Sequence, residues 1–150
     1  MRKDKALPRK ILTWAAIAAA VYFGNVQLQT FLGHRALAAT GLEVLDLESG
    51  LNAAAVSDKL VLADLSAIWC SSCRTFDRKV LADEEVRALI DESFVFVRVE
   101  YESDEGKLFR ERYGVNGFPK LLVIDSEGNL IAQLPTTYDP VVFRTSLGGV

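Results

Sequence analysis

Two cysteines make up the thiol content of these 150 residues, and they stand three apart in Trp69-Cys70-Ser71-Ser72-Cys73. Cysteines at that spacing on a helix share one face and lie within disulfide reach, so the pair can close a small ring with little backbone movement. The segment follows an apolar run of strand length and opens a helical pattern. Cys70 therefore falls at a helix N-terminus, where unpaired N–H groups and the helix dipole favour a thiolate. That makes Cys70 the attacking sulfur. Cys73, one turn further in and more shielded, is suited to resolving a mixed disulfide. Two other readings stay open: a structural disulfide, although so short a loop would constrain the unfolded chain little, and half of a zinc site completed by another molecule.

Composition removes several other chemistries. The single histidine, His34, lies near the front, so no Ser–His–Asp or Cys–His arrangement can form in the later part of the chain. Two cysteines cannot build a four-thiolate zinc site, and no metal site or organic cofactor motif is expected. Charge is unevenly spread. Residues 1–10 carry five basic side chains against one acid, whereas residues 36–150 carry 11 basic against 19 acidic. An acidic later part argues against a nucleic-acid partner.

The elements that must position the cysteines alternate. Residues 48–58 read as a short helix with apolar positions at Leu51, Ala54, Ala55 and Val56. Leu60–Ser66 reads as a strand covered on both faces. Phe76, Val80 and Leu81 continue a helix from Ser71, and Asp83 caps a second one with Val86, Leu89 and Ile90 buried. A β-branched and aromatic run over 94–101 is a strand, 103–113 is a helix stopped by Gly114, and 120–125 with 130–134 form a hairpin. A last helix starts at Asp139 or Pro140 and runs through Phe143 and Leu147. With a further possible strand at 42–47, the pattern is an α/β sheet with helices on both faces.

The front end reads as a targeting or anchoring segment. After Arg2, Lys3, Lys5, Arg9 and Lys10 come fourteen uncharged residues, 11–24, and the next charge is Arg35. An uncleaved signal anchor over 11–32 would be long enough to cross the membrane at ~1.5 Å per residue. Its second half, with Asn25, Gln27, Gln29 and Thr30, is polar for a span and fits the interface. A cleaved signal peptide and an amphipathic helix outside the membrane are the alternatives. Either of the first two readings keeps the basic cluster in the cytoplasm and exports residues 36–150. The expected division is 1–35 anchor, 36–47 linker, 48–150 domain.

The run from Val61 through Asp64 to Trp69-Cys70-Ser71-Ser72-Cys73, followed by Gly117-Phe118-Pro119 ahead of a strand, resembles the thioredoxin family over about residues 48–150. Cys73-Arg-Thr-Phe-Asp77 and Asp83-Glu-Glu-Val86 most resemble the C-terminal thioredoxin-like domain of bacterial membrane thiol:disulfide interchange proteins. The resemblance implies a central mixed sheet with helices on both faces. It also implies a proton-exchanging role with Cys73 for Asp64, whose place in an apolar strand would raise its pKa. Pro119 matches a cis-proline beside the disulfide, and the backbone of Phe118 matches a docking edge for an extended substrate. Trp69 is expected to shield the sulfur and form a contact surface. Asp77, four residues after Cys73, is expected to tune the pair, and Arg98 to stand near the buried acid or at the surface. Ser71-Ser72 replaces the Gly-Pro of cytoplasmic thioredoxins and adds no cation. The expected Cys70 pKa is therefore ordinary to mildly lowered, with a reducing to intermediate potential. Lys120 follows Pro119 where the family commonly has a threonine, and is expected to bias the substrate groove towards acidic partners.

These readings converge on a thiol–disulfide oxidoreductase on a single-pass anchor in a bacterial inner membrane, its domain in the periplasm. The expected substrates are disulfides of exported proteins. The multi-span electron-transfer domain of the resembled proteins has no counterpart in these residues, so an upstream membrane donor is expected. An oxidase or isomerase remains as an alternative, as does a redox-inert module that binds partners through the same fold.

Overall fold

Leu60–Ser66 (β1) and Lys120–Ile124 (β3) are buried on both faces because they are the central strands of a four-stranded sheet. The computed structural model describes residues 9–150, so Arg2, Lys3 and Lys5 of the expected basic cluster lie outside the described residues. β1 pairs in parallel with Phe94–Glu100 (β2) and antiparallel with β3. Leu130–Leu134 (β4) completes the hairpin with β3 and the strand order β2-β1-β3-β4. The hairpin turn is held by Asp125, whose carboxylate accepts the N–H groups of Glu127 and Asn129, with Gly128 at φ 78°.

Alternation along each strand sends successive side chains to two separate cores. Val61, Ala63, Leu65, Val97, Val99, Leu122 and Ile124 face one side. Leu47–Ser57 (α2) and Asp104–Tyr113 (α5) cover it with Ala54 and Phe109. Leu62, Phe96, Leu121 and Val123 face the other, under Ser71–Phe76 (α3), Glu84–Ser93 (α4) and Pro140–Leu147 (α6). Helix ends follow the sequence closely. Asp83, Ser103 and Asp139 cap α4, α5 and α6 with their side chains, and Gly114 closes α5 in the left-handed region.

Two stretches differ from the sequence reading. Residues 42–47 form no full strand: Leu45 makes one bridge to Val97, and at Asp46 the chain is already capping α2. The helix expected from Ser71 changes pitch at Asp77, where Asp77–Leu81 winds as a π-helix and the Ala82 N–H reaches the Asp77 carbonyl at 2.8 Å. Helical spacing of apolar residues does not distinguish these two pitches.

Arg9–Ala38 (α1) is one continuous helix of 30 residues. By length and composition it can cross a membrane, and its large apolar residues from Ile11 to Phe31 are exposed. Only its C-terminal end meets the domain, through buried Gly33 and Ala36. A Cβ at Gly33 would collide with the Ile68 carbonyl oxygen, so glycine permits the closest approach of the helix. The helix runs through the expected 35/36 boundary to Ala38.

Candidate active site

Cys70 is the N-cap residue of α3, in extended conformation at φ −72° and ψ 120°. Its Sγ accepts the Cys73 N–H at 3.1 Å and lies 2.9 Å from the Ser72 hydroxyl. Cys70 and Cys73 are joined as a disulfide with their Cα atoms 5.3 Å apart. Both contacts to Sγ are of the kind that stabilise a thiolate once the bond opens. Ser71 is exposed beside the pair, and Ser72 is half-buried.

The sulfurs are well covered: Cys70 is 4% and Cys73 2% exposed. Tyr101 and Phe118 pack against them, with their rings 4.7 Å apart edge to face. Trp69 stacks on Phe118 at 5.4 Å yet stays 44% exposed, so it belongs to the rim of the site rather than to the core. Its indole N–H donates to Glu102 at 3.1 Å, and Arg74 donates to its carbonyl at 3.0 Å. The Phe118–Pro119 bond is cis, and Pro119 is buried beside half-buried Phe118.

Beneath α3 the sheet carries a buried charge cluster. Period two puts Asp64 on the same face as Leu62, and Arg98 on the same face as Phe96. The parallel register sets Asp64 directly beside Arg98. The Arg98 Nη2 lies 2.8 Å from Asp64 and 2.5 Å from Asp77, and Nη1 reaches the second Asp77 oxygen at 3.3 Å. Asp64 and Asp77 are each 1% exposed. The second Asp64 oxygen, Oδ1, is buried without a hydrogen-bond partner, as is the Arg98 Nε. Burial pushes the Asp64 pKa up to about 6, opposed by the Arg98 charge and reinforced by Asp77 and Glu100. Burial works against the Arg98 charge too, but the carboxylates outweigh it and raise its pKa. Glu100 is also raised, by burial first, although its carboxylate accepts the Ile68 N–H at 3.1 Å.

Trp69, Ser71, Ser72, Phe118 and Pro119 thus gather at the Cys70–Cys73 pair, while Asp64 and Asp77 meet at Arg98. Sequence reasoning left Arg98 open between a surface and a buried place. Its alternation with Phe94 and Phe96 was the available signal. Tyr101, read as the last residue of the 94–101 strand, and Glu102 went unnoticed: β2 ends at Glu100, and nothing local marks the next two residues as reaching the cysteine pair and Trp69.

A family model described as thioredoxin-like matches residues 42–126. The chain belongs to the thioredoxin-like family. Among curated thioredoxin-like relatives, the thiol:disulfide interchange protein DsbD of Yersinia enterocolitica is 31% identical over 116 residues, 77% of this chain and 20% of that protein. The chain spans a fifth or less of the length of the curated relatives it matches. The reduced C-terminal domain of DsbD from Neisseria meningitidis superposes with a TM-score of 0.58 at 25% identity, covering 71% of this chain and 98% of that one. A thioredoxin from Thermus thermophilus gives a TM-score of 0.65 at 22% identity, over 72% of this chain and 85% of that one, which speaks for the shared fold. These relatives are named for thiol:disulfide interchange, and this chain carries a cysteine pair joined as a disulfide.

Proposed function

We propose that this chain is a membrane-anchored thiol–disulfide oxidoreductase that reduces disulfides of exported proteins, with α1 in a bacterial inner membrane and residues 48–150 in the periplasm. The observation that carries the reading is Cys70 at the start of α3, its sulfur receiving the Cys73 N–H. In the reduced enzyme the Cys70 thiolate attacks a substrate disulfide. One Cys70–substrate S–S bond forms, the substrate bond breaks, and the departing thiolate takes a proton from solvent. Cys73 then loses its proton to Asp64 and attacks Cys70, forming the Cys70–Cys73 disulfide and releasing the second substrate sulfur. Two electrons pass from the dithiol to the substrate. A dithiol protein in the membrane, as upstream donor, returns them by the same exchange.

Asp64 suits its part because its pKa of about 6 leaves it largely ionised at pH 7 yet able to hold a proton, and Oδ1 has no competing partner. Burial sets that affinity first, with the Arg98 charge lowering it and Asp77 raising it. The Phe118 N–H and C=O, outside any strand and with no hydrogen-bond partner among the described residues, suit an added substrate strand. Trp69 supplies the contact rim.

The test is a redox titration of the full chain in detergent micelles, read by thiol labelling, with Cys70→Ser as control. A reversible midpoint below about −200 mV supports a reductase, and one near −120 mV reverses the direction to oxidation. Cys73→Ser is expected to trap mixed disulfides. A pair that stays closed and never exchanges would leave only the redox-inert binding module.

A further inference from the structure

Glu100 takes no step in the exchange above, yet it is tied to the turn that delivers Cys70. Ala67-Ile68-Trp69-Cys70 is a β-turn, closed by the Cys70 N–H on the Ala67 carbonyl at 2.9 Å. Such a turn gives the N–H of its second residue no partner of its own. Here that N–H, on Ile68, points at the Glu100 carboxylate, 3.1 Å from one oxygen and 3.3 Å from the other. We propose that Glu100 is a positioning residue for Cys70: its carboxylate fixes the turn by the Ile68 N–H and so holds the Cys70 sulfur at the N-terminus of α3.

The carboxylate stands on a rigid base. Glu100 ends β2 beside Ser66, whose carbonyl accepts the Tyr101 N–H at 2.7 Å. The Glu100 carbonyl accepts both the N–H and the hydroxyl of Ser103, the cap of α5. Nothing competes for the carboxylate. Period two continues the row of Phe96 and Arg98 to Glu100, but the Arg98 guanidinium turns to Asp64, Asp77 and Ser66. Among the described residues Glu100 makes no ion pair, and the Ile68 N–H is its one hydrogen-bond donor. The charged groups that face it are Glu102 after β2, Arg98 on β2 and His34 on α1. From the far side α1 abuts the same residue, for a Cβ at Gly33 would strike the Ile68 carbonyl oxygen. The turn is thus held between the end of the sheet and the anchor helix. The thiolate depends on that setting. Cys70 caps α3, and its Sγ meets the Cys73 N–H at 3.1 Å because the chain enters the helix at φ −72° and ψ 120°. A looser turn takes the sulfur off that N–H and away from the helix dipole, and the Cys70 pKa rises. The role rests on the oxidoreductase reading and adds to it the group that sets the geometry of the nucleophile.

The experiment uses the full chain in detergent micelles with Cys73→Ser, which leaves Cys70 as the only thiol. The Cys70 pKa is read from the rate of iodoacetamide alkylation against pH. Glu100→Gln keeps an acceptor for the Ile68 N–H, whereas Glu100→Met fills a similar volume without one. Both remove the same charge, so the difference between them isolates the hydrogen bond. The Cys70 pKa is expected to be about half a pH unit higher with methionine than with glutamine, the size of a weakened cap and dipole contact. Equal values in the two folded variants overturn the proposal and leave Glu100 a neighbouring charge or a packing residue. Hydrogen exchange at the Ile68 amide of the unaltered chain needs no variant. Protection is expected there, and exchange at the rate of a free peptide overturns the proposal as well. Turnover of 2-hydroxyethyl disulfide by the chain with both cysteines tests the oxidoreductase reading separately. A pair that never exchanges overturns that reading, and with it the use of the clamp, whatever the two pKa values show.

Discussion

Arg98 is one cation held between two buried carboxylates, and the balance is delicate. Replacing it by methionine leaves Asp64 and Asp77 without a counter-charge in a dry site. The expected loss of stability is about 3–5 kcal/mol at pH 7. It should shrink at pH 5, as Asp64 takes up a proton, and urea unfolding at the two pH values measures the difference. Asp64 gives a second expectation. Its folded pKa of about 6 lies above the ordinary 3.8, so the folded protein binds more protons than the unfolded chain between those values. Stability contributed by the neutral carboxyl is present in full below about pH 4. It is lost as pH rises through 6, a fall on the order of 3 kcal/mol. Asp64→Asn keeps the shape and should abolish that fall, read as the difference in urea midpoint from the unaltered chain across pH 4–7. The same variant should remove the inflection near pH 6 in resolution of a mixed disulfide by Cys73.

Among the elements, the seam between α1 and the domain depends on the absence of a side chain at Gly33. Gly33→Val forces the helix off the Ile68 carbonyl. The expected result is faster proteolysis over residues 36–47 with little change in the unfolding midpoint of the sheet, whose two cores do not include Gly33. Limited proteolysis beside thermal unfolding checks it. Most other elements were legible in the sequence for local reasons. β1 and β3 are mostly apolar runs, and α4, α5 and α6 announce their starts through Asp83, Ser103 and Asp139. The π-helix at Asp77 left no trace, since Phe76, Val80 and Leu81 satisfy helical spacing in either pitch. Residues 42–47 looked strand-like from composition, but whether such a run pairs depends on a neighbour distant in sequence. The cysteine pair was plain from spacing alone. The charge cluster was harder to read because a lone arginine in a strand most often points to solvent, and only the register with Asp64 fixes its place.

For the whole molecule, the front of the chain decides where the chemistry happens. An uncleaved anchor should leave the protein in the membrane after an alkaline wash, with α1 still attached; cleavage after the apolar run would release a lighter chain, and mass spectrometry tells them apart. With α1 in the bilayer as proposed, helix and domain meet without a hinge between them, for the helix that carries the anchor over 11–32 is the one that docks at Gly33. A slack tether would let the disulfide sweep a hemisphere above the membrane, whereas this stalk confines it to a thin slab parallel to the surface. Clients that carry their own disulfide into that slab are found by lateral diffusion in two dimensions. Those that present it higher stay out of reach however reactive they are, so altitude sorts the clientele before sulfur chemistry begins.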